Sequence, residues 1–268
     1  MGRLEFDYMT HIGFSEPVDE HTFVLRCLPR KDRGIHIESA AVEISPTAAV
    51  TRQLDSFGNT LTVGSIRAPH TQIEYRSQGA VRVDRYADGL DAGPRSEPDP
   101  EPHPLYRYPS PLTSPDAGLV SFAESFGRTH ATVDARMCAE LSHTVHETME
   151  YAPRTTSVRP TAAEAFAARH GVCQDFAHVL STLLRLYGVP ARYVSGLAEG
   201  EGQTHAWVEA YVGSRWRGLD PPRDKLAADG YLPLACGRDW MDCPIENGSF
   251  HGYVTQEQTV HFTVRRTA

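Results

Sequence analysis

The 268-residue sequence has few lysines and no long apolar run. Two of its 26 basic residues are lysines, and 34 acidic residues give a formal net charge of −8. That balance argues against nucleic acid as a partner, because phosphate contacts need a basic surface. No run of about 18 apolar residues occurs, so we expect no membrane-spanning segment and no membrane partner. The N-terminus, MGRLEFD, is acidic where a signal peptide is apolar, which predicts a cytoplasmic protein.

Cysteine is scarce and irregularly spaced. The chain has an odd number of cysteines and no C-x-x-C pair, which disfavours both a disulfide framework and a structural zinc site. We therefore predict no metal and no cofactor, and a reducing environment. The five are Cys27, Cys138, Cys173, Cys236 and Cys243.

Proline is concentrated in one place, and it divides the chain. Residues 87–116 hold eight of the 19 prolines. Because proline lacks the backbone N–H that helices and central strands need, this stretch predicts a linker or an ordered meandering loop. It separates an N-terminal domain, residues 1–86, from a second domain, residues 117–268.

The segment before the prolines alternates apolar and polar residues in short runs. This period of two predicts strands, and their spacing predicts a small antiparallel β-sandwich with a turn at 55–60. No cluster of chemically active residues occurs there, which favours a scaffold or recognition role. The predicted strands are 4–8, 23–28, 41–44, 71–76 and 80–83.

After the prolines the pattern changes to helices followed by strands. Apolar residues recur every fourth position over 133–149, and Thr161 with Glu164 forms a capping box that opens a short helix ending with Gly171 as its C-cap. A further helix begins near Cys173 and ends before Gly188. Strands are predicted at 191–197, 205–212, 215–219 and 252–265, with a hairpin turn at 213–214. This half is therefore α+β, with helices packed on an antiparallel sheet.

Three residues of this half have matching chemistry. Cys173 lies at a predicted helix start, where unpaired N–H groups stabilise a thiolate. His205 opens a strand, and Asp220 ends the next strand across the hairpin, where its carboxylate could orient the imidazole. Taken singly, a buried thiol, an exposed histidine and a turn-initiating aspartate are the simpler interpretations. Their occurrence together in this order favours a catalytic set.

Four sequence blocks in order resemble the bacterial transglutaminase-like family, which belongs to the papain-related cysteine enzymes. The blocks are GVCQDFAH at 171–178, GVPARYVSG at 188–196, HAWVE at 205–209 and GLDP at 218–221. The N-terminal half, notably Phe57-Gly58-Asn59, is similar to the β-rich domain that precedes this core in many members. The resemblance implies a Cys–His–Asp triad of Cys173, His205 and Asp220.

Such a triad supports acyl transfer through a thioester on Cys173. Water as the second reactant makes the protein a peptidase or amidase, which we favour, and a primary amine makes it a protein-glutamine transglutaminase. A catalytically idle binding module is the third alternative. The expected partner is a peptide or protein substrate, and the sequence does not indicate an oligomeric state.

Other residues are candidates for supporting roles. The oxyanion that forms during acyl transfer needs a second hydrogen-bond donor besides the Cys173 N–H. The candidates for this donor, or for a wall of the cleft, are Gln174, Trp207 and Tyr151. Gln174 points about 100° away from Cys173 on an ideal helix, which weighs against it. After Asp220-Pro221 the chain departs from the family with Pro222-Arg223, and Arg223 could favour carboxylate-bearing substrates.

Overall fold

The computed structural model describes residues 2–86, 90, 97–130, 132–152 and 160–267. The β-strands are β1 (Gly2–Leu25), β2 (Ile35–Ser45), β3 (Ala49–Leu54), β4 (Thr60–Ile66), β5 (His70–Val83), β6 (Glu150–Tyr151), β7 (His170–Gly171), β8 (Ala191–Ala198), β9 (Gly200–Gly202), β10 (His205–Val212), β11 (Arg215–Asp220), β12 (Lys225–Leu226), β13 (Tyr231–Gly237), β14 (Glu246–His251) and β15 (Gln256–Thr267). The α-helices are α1 (Ala117–Gly127), α2 (Ala135–Thr148), α3 (Ala162–Ala168) and α4 (Cys173–Leu186).

The N-terminal region is a large antiparallel sheet built around β1. Its first half pairs with β5 and β15, and its second half pairs with β4 and β14. The pairing with β5 shifts register between Gly13 and Val18, a stretch that contains Pro17, which cannot donate to a ladder. The sequence predicted two separate strands where the structure has one that continues through this irregularity. The predicted antiparallel β-rich region is confirmed.

The second half packs four helices against a five-stranded antiparallel sheet, which confirms the α+β class. The strand order is β12-β11-β10-β8-β13, and α4 lies against β8 and β10. Its buried face includes Phe176, Leu180 and Leu183. Gly213 and Ser214 both have φ of 60°, as a tight hairpin between β10 and β11 requires. No helix in the described part of the chain is long and apolar enough to span a bilayer.

The helices differ from the prediction in detail. Helix α1 was not predicted, and α2 begins at Ala135, which leaves Val133 exposed. The capping box at Thr161 and Glu164 is present. The left-handed C-cap of α3 is Arg169, with φ of 59°, so the prediction of Gly171 was wrong.

Gly171 meets a different steric requirement. It lies in β7, immediately before the helix that begins with Cys173, and its φ is not left-handed. A Cβ placed there would come within 2.6 Å of the Asp175 side chain. The position therefore needs glycine for close approach to α4 rather than for backbone conformation.

The C-terminal tail forms strands in the N-terminal sheet. β14 pairs with β1, and β15 pairs with both β1 and the short β9. Alternation within 252–265 predicted a strand but could not name its partner, because the period of two is the same in every strand. The tail thus adds strands to the N-terminal sheet, whereas we expected all of 117–268 to form the core. The division into domains otherwise stays a prediction.

The proline-rich stretch is ordered where the structure describes it. Residues 87–89 and 91–96 lie outside the described residues, and 97–116 pack on the second half with two 3₁₀ turns, Pro104–Arg107 and Pro111–Thr113. The Trp216 N–H donates to the Asp99 carboxylate at 2.8 Å. The Arg185 guanidinium donates to the Tyr106 carbonyl at 3.1 Å. Residues 97–116 are therefore an ordered loop rather than a free linker.

The N-terminal region and the core meet at a buried polar contact, here named the closed interface. At its centre Glu209 of β10, which is fully buried, accepts from the Arg85 guanidinium at 2.9 Å and from the Arg192 guanidinium at 2.6 Å. Arg192 also donates to Asp32 at 2.8 Å. The closed interface consists of Arg30, Asp32, Asn59, Arg85, Arg192, Glu209 and Cys236.

Asn59 connects the N-terminal region to Cys236 of β13 in the closed interface. Its side-chain carbonyl accepts from the Cys236 N–H at 2.8 Å and from Arg30 at 2.6 Å, and its amide donates to the Cys236 carbonyl at 2.8 Å. The amide therefore pairs with β13 as a neighbouring strand would. This explains the structural use of the Phe57-Gly58-Asn59 turn.

Candidate active site

Cys173 is the first residue of α4. The helix is fixed at this end by Asp175, whose carboxylate accepts from the Val172 N–H at 2.9 Å. The early N–H groups of a helix have no partner within it, so the thiol lies where a negative charge is favoured. Cys173 is partly exposed, whereas the other four cysteines are at most 1% exposed. It is therefore the thiol that a reagent or substrate can reach.

His205 and Asp220 meet across the β10–β11 hairpin. His205 begins β10 and Asp220 ends β11, and the His205 Nε2 donates to the Asp220 Oδ2 at 2.8 Å. Both residues are buried, at 8% and 0% exposure. The Tyr231 hydroxyl donates to the same carboxylate oxygen at 2.5 Å. Asp220 is thus held by two donors, one of which is the histidine.

The pKa of His205 depends on both Asp220 and Cys173. Burial disfavours the imidazolium, but the hydrogen bond to Asp220 and the proximity of Cys173 outweigh burial and raise the pKa of His205 to about 9. Since Nε2 is committed to Asp220, Nδ1 is the nitrogen left for the thiol. The structure therefore pairs His205 with Asp220 and places Cys173 near enough to influence the pKa of His205.

The set opens into a cavity of about 580 Å³ between the two halves, here named the cleft. Cys173, Gln174 and His205 lie in its core wall, and aromatic side chains of the N-terminal sheet form the opposite wall. This volume is in the usual range for a small-ligand or peptide side-chain site. The N-terminal sheet therefore contributes a wall of the cleft, which the sequence did not predict.

The three oxyanion or cleft candidates occupy different places. Gln174 lines the cleft, and its Nε2 is buried without a hydrogen-bond partner among the described residues. Trp207 is fully buried, does not line the cleft, and donates its indole N–H to the Tyr86 hydroxyl at 3.3 Å. Tyr151 is 54% exposed and pairs with Gly171, two residues before Cys173.

The alternation of β10 explains the position of Trp207. Ala206 and Val208 face the helices, whereas His205 and Trp207 stack on the other face with ring centroids 6.2 Å apart. The period-two alternation of side chains along a strand predicts this division of faces. The second face is covered by the N-terminal region rather than open, so Trp207 supports His205 by packing. Periodicity could not reveal a cover that comes from the other half of the chain.

Arg223 lies behind the carboxylate. Its Nε is 3.9 Å from the Asp220 Oδ2, and its guanidinium lies 5.9 Å from the centre of the Tyr231 ring. Its side chain is 44% exposed, so solvent screens its charge. Arg223 does not line the cleft as described. Tyr231 was missed by the sequence analysis, because a tyrosine in a strand has no spacing that points to Asp220.

Comparisons with known proteins give a family match for each half of the chain. Residues 121–221 match the transglutaminase-like superfamily, and residues 4–82 match the bacterial transglutaminase-like N-terminal region. Residues 121–221 belong to the transglutaminase-like superfamily. Cys173, His205 and Asp220 all lie within the stretch that matches the superfamily core. In the described residues, no group of three or more His, Cys, Asp or Glu side chains is arranged to hold a metal ion.

Relatives and a solved structure extend the match. An uncharacterized protein of Mycobacterium leprae is 25% identical over 282 residues, covering all of both chains. A protein-glutamine gamma-glutamyltransferase of Pseudomonas aeruginosa is 29% identical over 116 residues, covering 38% of this chain and 17% of that protein. The crystal structure of a proposed cysteine protease from Cytophaga hutchinsonii has a TM-score of 0.77 at 18% identity, covering 100% of this chain and 91% of that one. This transglutaminase-like chain shares its whole fold with that structure.

Proposed function

We propose that the protein is a cysteine-dependent acyl-transfer enzyme that acts on peptide or protein amides. The observation that carries the proposal is His205, which is hydrogen-bonded to Asp220 at 2.8 Å and lines the same cleft as Cys173. Cys173 is the nucleophile, His205 the general acid and base, and Asp220 the residue that orients it. The reducing, cytoplasmic setting inferred from the sequence suits a free catalytic thiol.

The first half-reaction forms a thioester. The Cys173 thiolate attacks the amide carbonyl, the C–N bond breaks, and His205 gives its proton to the leaving amine. The Cys173 N–H at the start of α4 is one donor for the oxyanion, and the unpartnered Gln174 Nε2 is the second. Orientation on an ideal helix weighed against Gln174, but its place in the wall of the cleft favours it.

Hydrolysis completes the reaction that we favour. Water attacks the thioester, the S–C bond breaks, and a carboxylic acid leaves as the thiol is restored. An attacking primary amine would instead make a new amide, as the name of the Pseudomonas relative describes for that protein. Because that match covers 38% of this chain, amine transfer is the second candidate.

Incubation with a glutamine-containing peptide and a biotinylated primary amine separates the two. Ammonia or a cleaved peptide without biotin incorporation is expected, whereas incorporation would establish amine transfer. Cys173→Ala should abolish either product, and Cys138→Ala serves as the matched control at a buried thiol. Turnover that survives Cys173→Ala would overturn the proposal.

A thiol reagent tests the nucleophile without a substrate. Iodoacetamide at neutral pH should modify Cys173 before the other four cysteines, because they are buried. Mass spectrometry of the digested protein gives the order of labelling. Equal labelling of all five in the folded protein would support the idle binding module instead.

A further inference from the structure

The wall of the cleft opposite Cys173 contains one carboxylate. Glu246 of β14 lines the cleft beside Gln258 of β15, whose amide donates to the Glu246 Oε1. The Glu246 Oε2 is buried and has no hydrogen-bond partner among the described residues. No other described lining residue is Asp or Glu, and none is Lys or Arg. An acceptor of this kind needs a partner, since burying one unpaired is costly.

The surroundings of Glu246 are aromatic and apolar. Tyr8, Phe14, Phe23 and Tyr75 of the N-terminal sheet line the same cleft. The Tyr75 hydroxyl is also buried without a partner among the described residues, and Tyr75 is 1% exposed. An apolar wall with two unpaired polar groups is the usual composition of a ligand site. It fits an aliphatic or aromatic stem that ends in a hydrogen-bond donor.

The titratable groups around Glu246 leave its charge uncompensated. Burial raises the pKa of Glu246 to about 7, and a hydrogen bond from Gln258 opposes the shift. Burial raises the pKa of Cys27 to about 12 and that of Tyr8 well above its ordinary value, so both are neutral. His21 is neutral as well, because burial and its contact with a second histidine lower its pKa. A cation that binds here meets a single carboxylate, and the other charged group that lines the cleft is His205 in the core wall, whose pKa is raised to about 9.

We infer that Glu246 binds a cationic side chain of the substrate while Cys173 acts on an amide elsewhere in the same cleft. The part of this inference that concerns Cys173 rests on the proposed function. The cation is a guanidinium or ammonium group that stays charged and takes no part in the chemistry. Its N–H groups would donate hydrogen bonds to the Glu246 Oε2, and its aliphatic stem would pack on Tyr8 and Tyr75. The net charge of −8 also favours the approach of cationic peptides.

Peptides that differ only in charge test the site. A fluorescent peptide with blocked ends and one glutamine carries arginine at each position from three before to three after it. Each has a partner with citrulline, which has nearly the same shape without the charge. Binding to Cys173→Ala is followed by fluorescence anisotropy at pH 8, so no chemistry is required. At one position or more, arginine should bind about tenfold tighter than citrulline.

The variants decide where that preference arises. Glu246→Gln should reduce the arginine-to-citrulline ratio below about threefold, and Glu246→Asp should retain part of it. The ratio should also rise from pH 6 to pH 8, because the carboxyl ionises near 7 while arginine stays charged. That pH test needs no substitution, so it decides the matter even if Glu246→Gln does not fold.

Two outcomes overturn the inference: no arginine preference at any position, or a preference that Glu246→Gln leaves intact. Turnover by the unmodified protein without a preference would sink the inference alone. A preference that depends on Glu246, in a protein without Cys173-dependent turnover, would instead refute the proposed function and leave the cation site standing.

Discussion

The N-terminal sheet contacts the core in two places that differ in how buried polar groups are treated. In the closed interface, the described side chains of Glu209, Arg192 and Asn59 all have partners. In the cleft, the Glu246 Oε2 and the Tyr75 hydroxyl have none among the described residues. Both contacts join the same two halves of the chain. The difference therefore distinguishes a contact that holds the halves together from one that is suited to bind a ligand.

This difference explains how a transglutaminase-like core can use an N-terminal sheet. The closed interface fixes the sheet on β10 and β13, and Glu209 lies on the same strand as His205, four residues further along β10. The cleft then receives a rigid aromatic wall whose position is set elsewhere. A wall that is held firmly can keep unpaired polar groups ready for a ligand, because their cost is offset by the paired contacts.

Breaking the closed interface should have the largest effect on stability. Glu209→Gln removes the charge that Arg85 and Arg192 share and leaves two buried cations in excess, which should lower the free energy of unfolding by about 3–5 kcal/mol. Urea denaturation monitored by tryptophan fluorescence measures the loss.

The matched control is an exposed carboxylate with two arginine partners. Glu38→Gln removes Glu38 from Arg3 and Arg82 on the surface and should barely move the urea midpoint, since water screens such pairs. Equal losses in the two variants would show that the closed interface contributes no more than a surface pair.

Asn59→Ala should have a smaller effect on stability. It removes the amide that pairs with the Cys236 backbone and leaves the buried Cys236 N–H unpaired, at a cost of about 1–3 kcal/mol. Asn247→Ala, at an exposed position in the cleft, is the control. Urea midpoints compare the two, and a larger loss for Asn247→Ala would reverse the contrast between attachment and binding.

Local patterns pointed to the residues of the proposed catalytic set but not to the surroundings of those residues. The helix start at Cys173 and the hairpin before Asp220 follow from a capped, apolar-periodic segment and a Gly-Ser turn, both of which are local. Trp207 was a candidate for a wall of the cleft. Alternation shows which face of the strand a side chain is on, but it does not show which other part of the chain packs on that face. The cover is formed by Tyr86 and its neighbours, more than 100 residues away in sequence.

Long-range pairing accounts for the remaining failures. The tail pairs with β1 at the opposite end of the chain, and no feature of 252–265 distinguishes that partner from β13. Glu246 and Tyr231 are single residues whose roles depend on the cavity or carboxylate that they meet. Such roles become visible only when the two halves are placed together.

Tyr231→Phe should give the smallest effect and sharpens the comparison at the catalytic set itself. The substitution keeps the ring that packs on Trp207 and removes the hydroxyl that donates to the Asp220 Oδ2. A carboxylate that loses one donor is a stronger acceptor for the other. The pKa of His205 should therefore rise from about 9 by less than about one unit.

NMR titration of ¹⁵N-labelled histidines measures this shift without any substrate. Asp220→Asn removes the charge that favours the imidazolium, so the pKa of His205 should fall in that variant. His21 is not a hydrogen-bond partner of Asp220 and should keep its lowered pKa in both variants. A fall in the pKa of His205 in Tyr231→Phe would mean that the hydroxyl acts mainly by holding Asp220 in place, so that this carboxylate, like Glu209, depends on all of its partners.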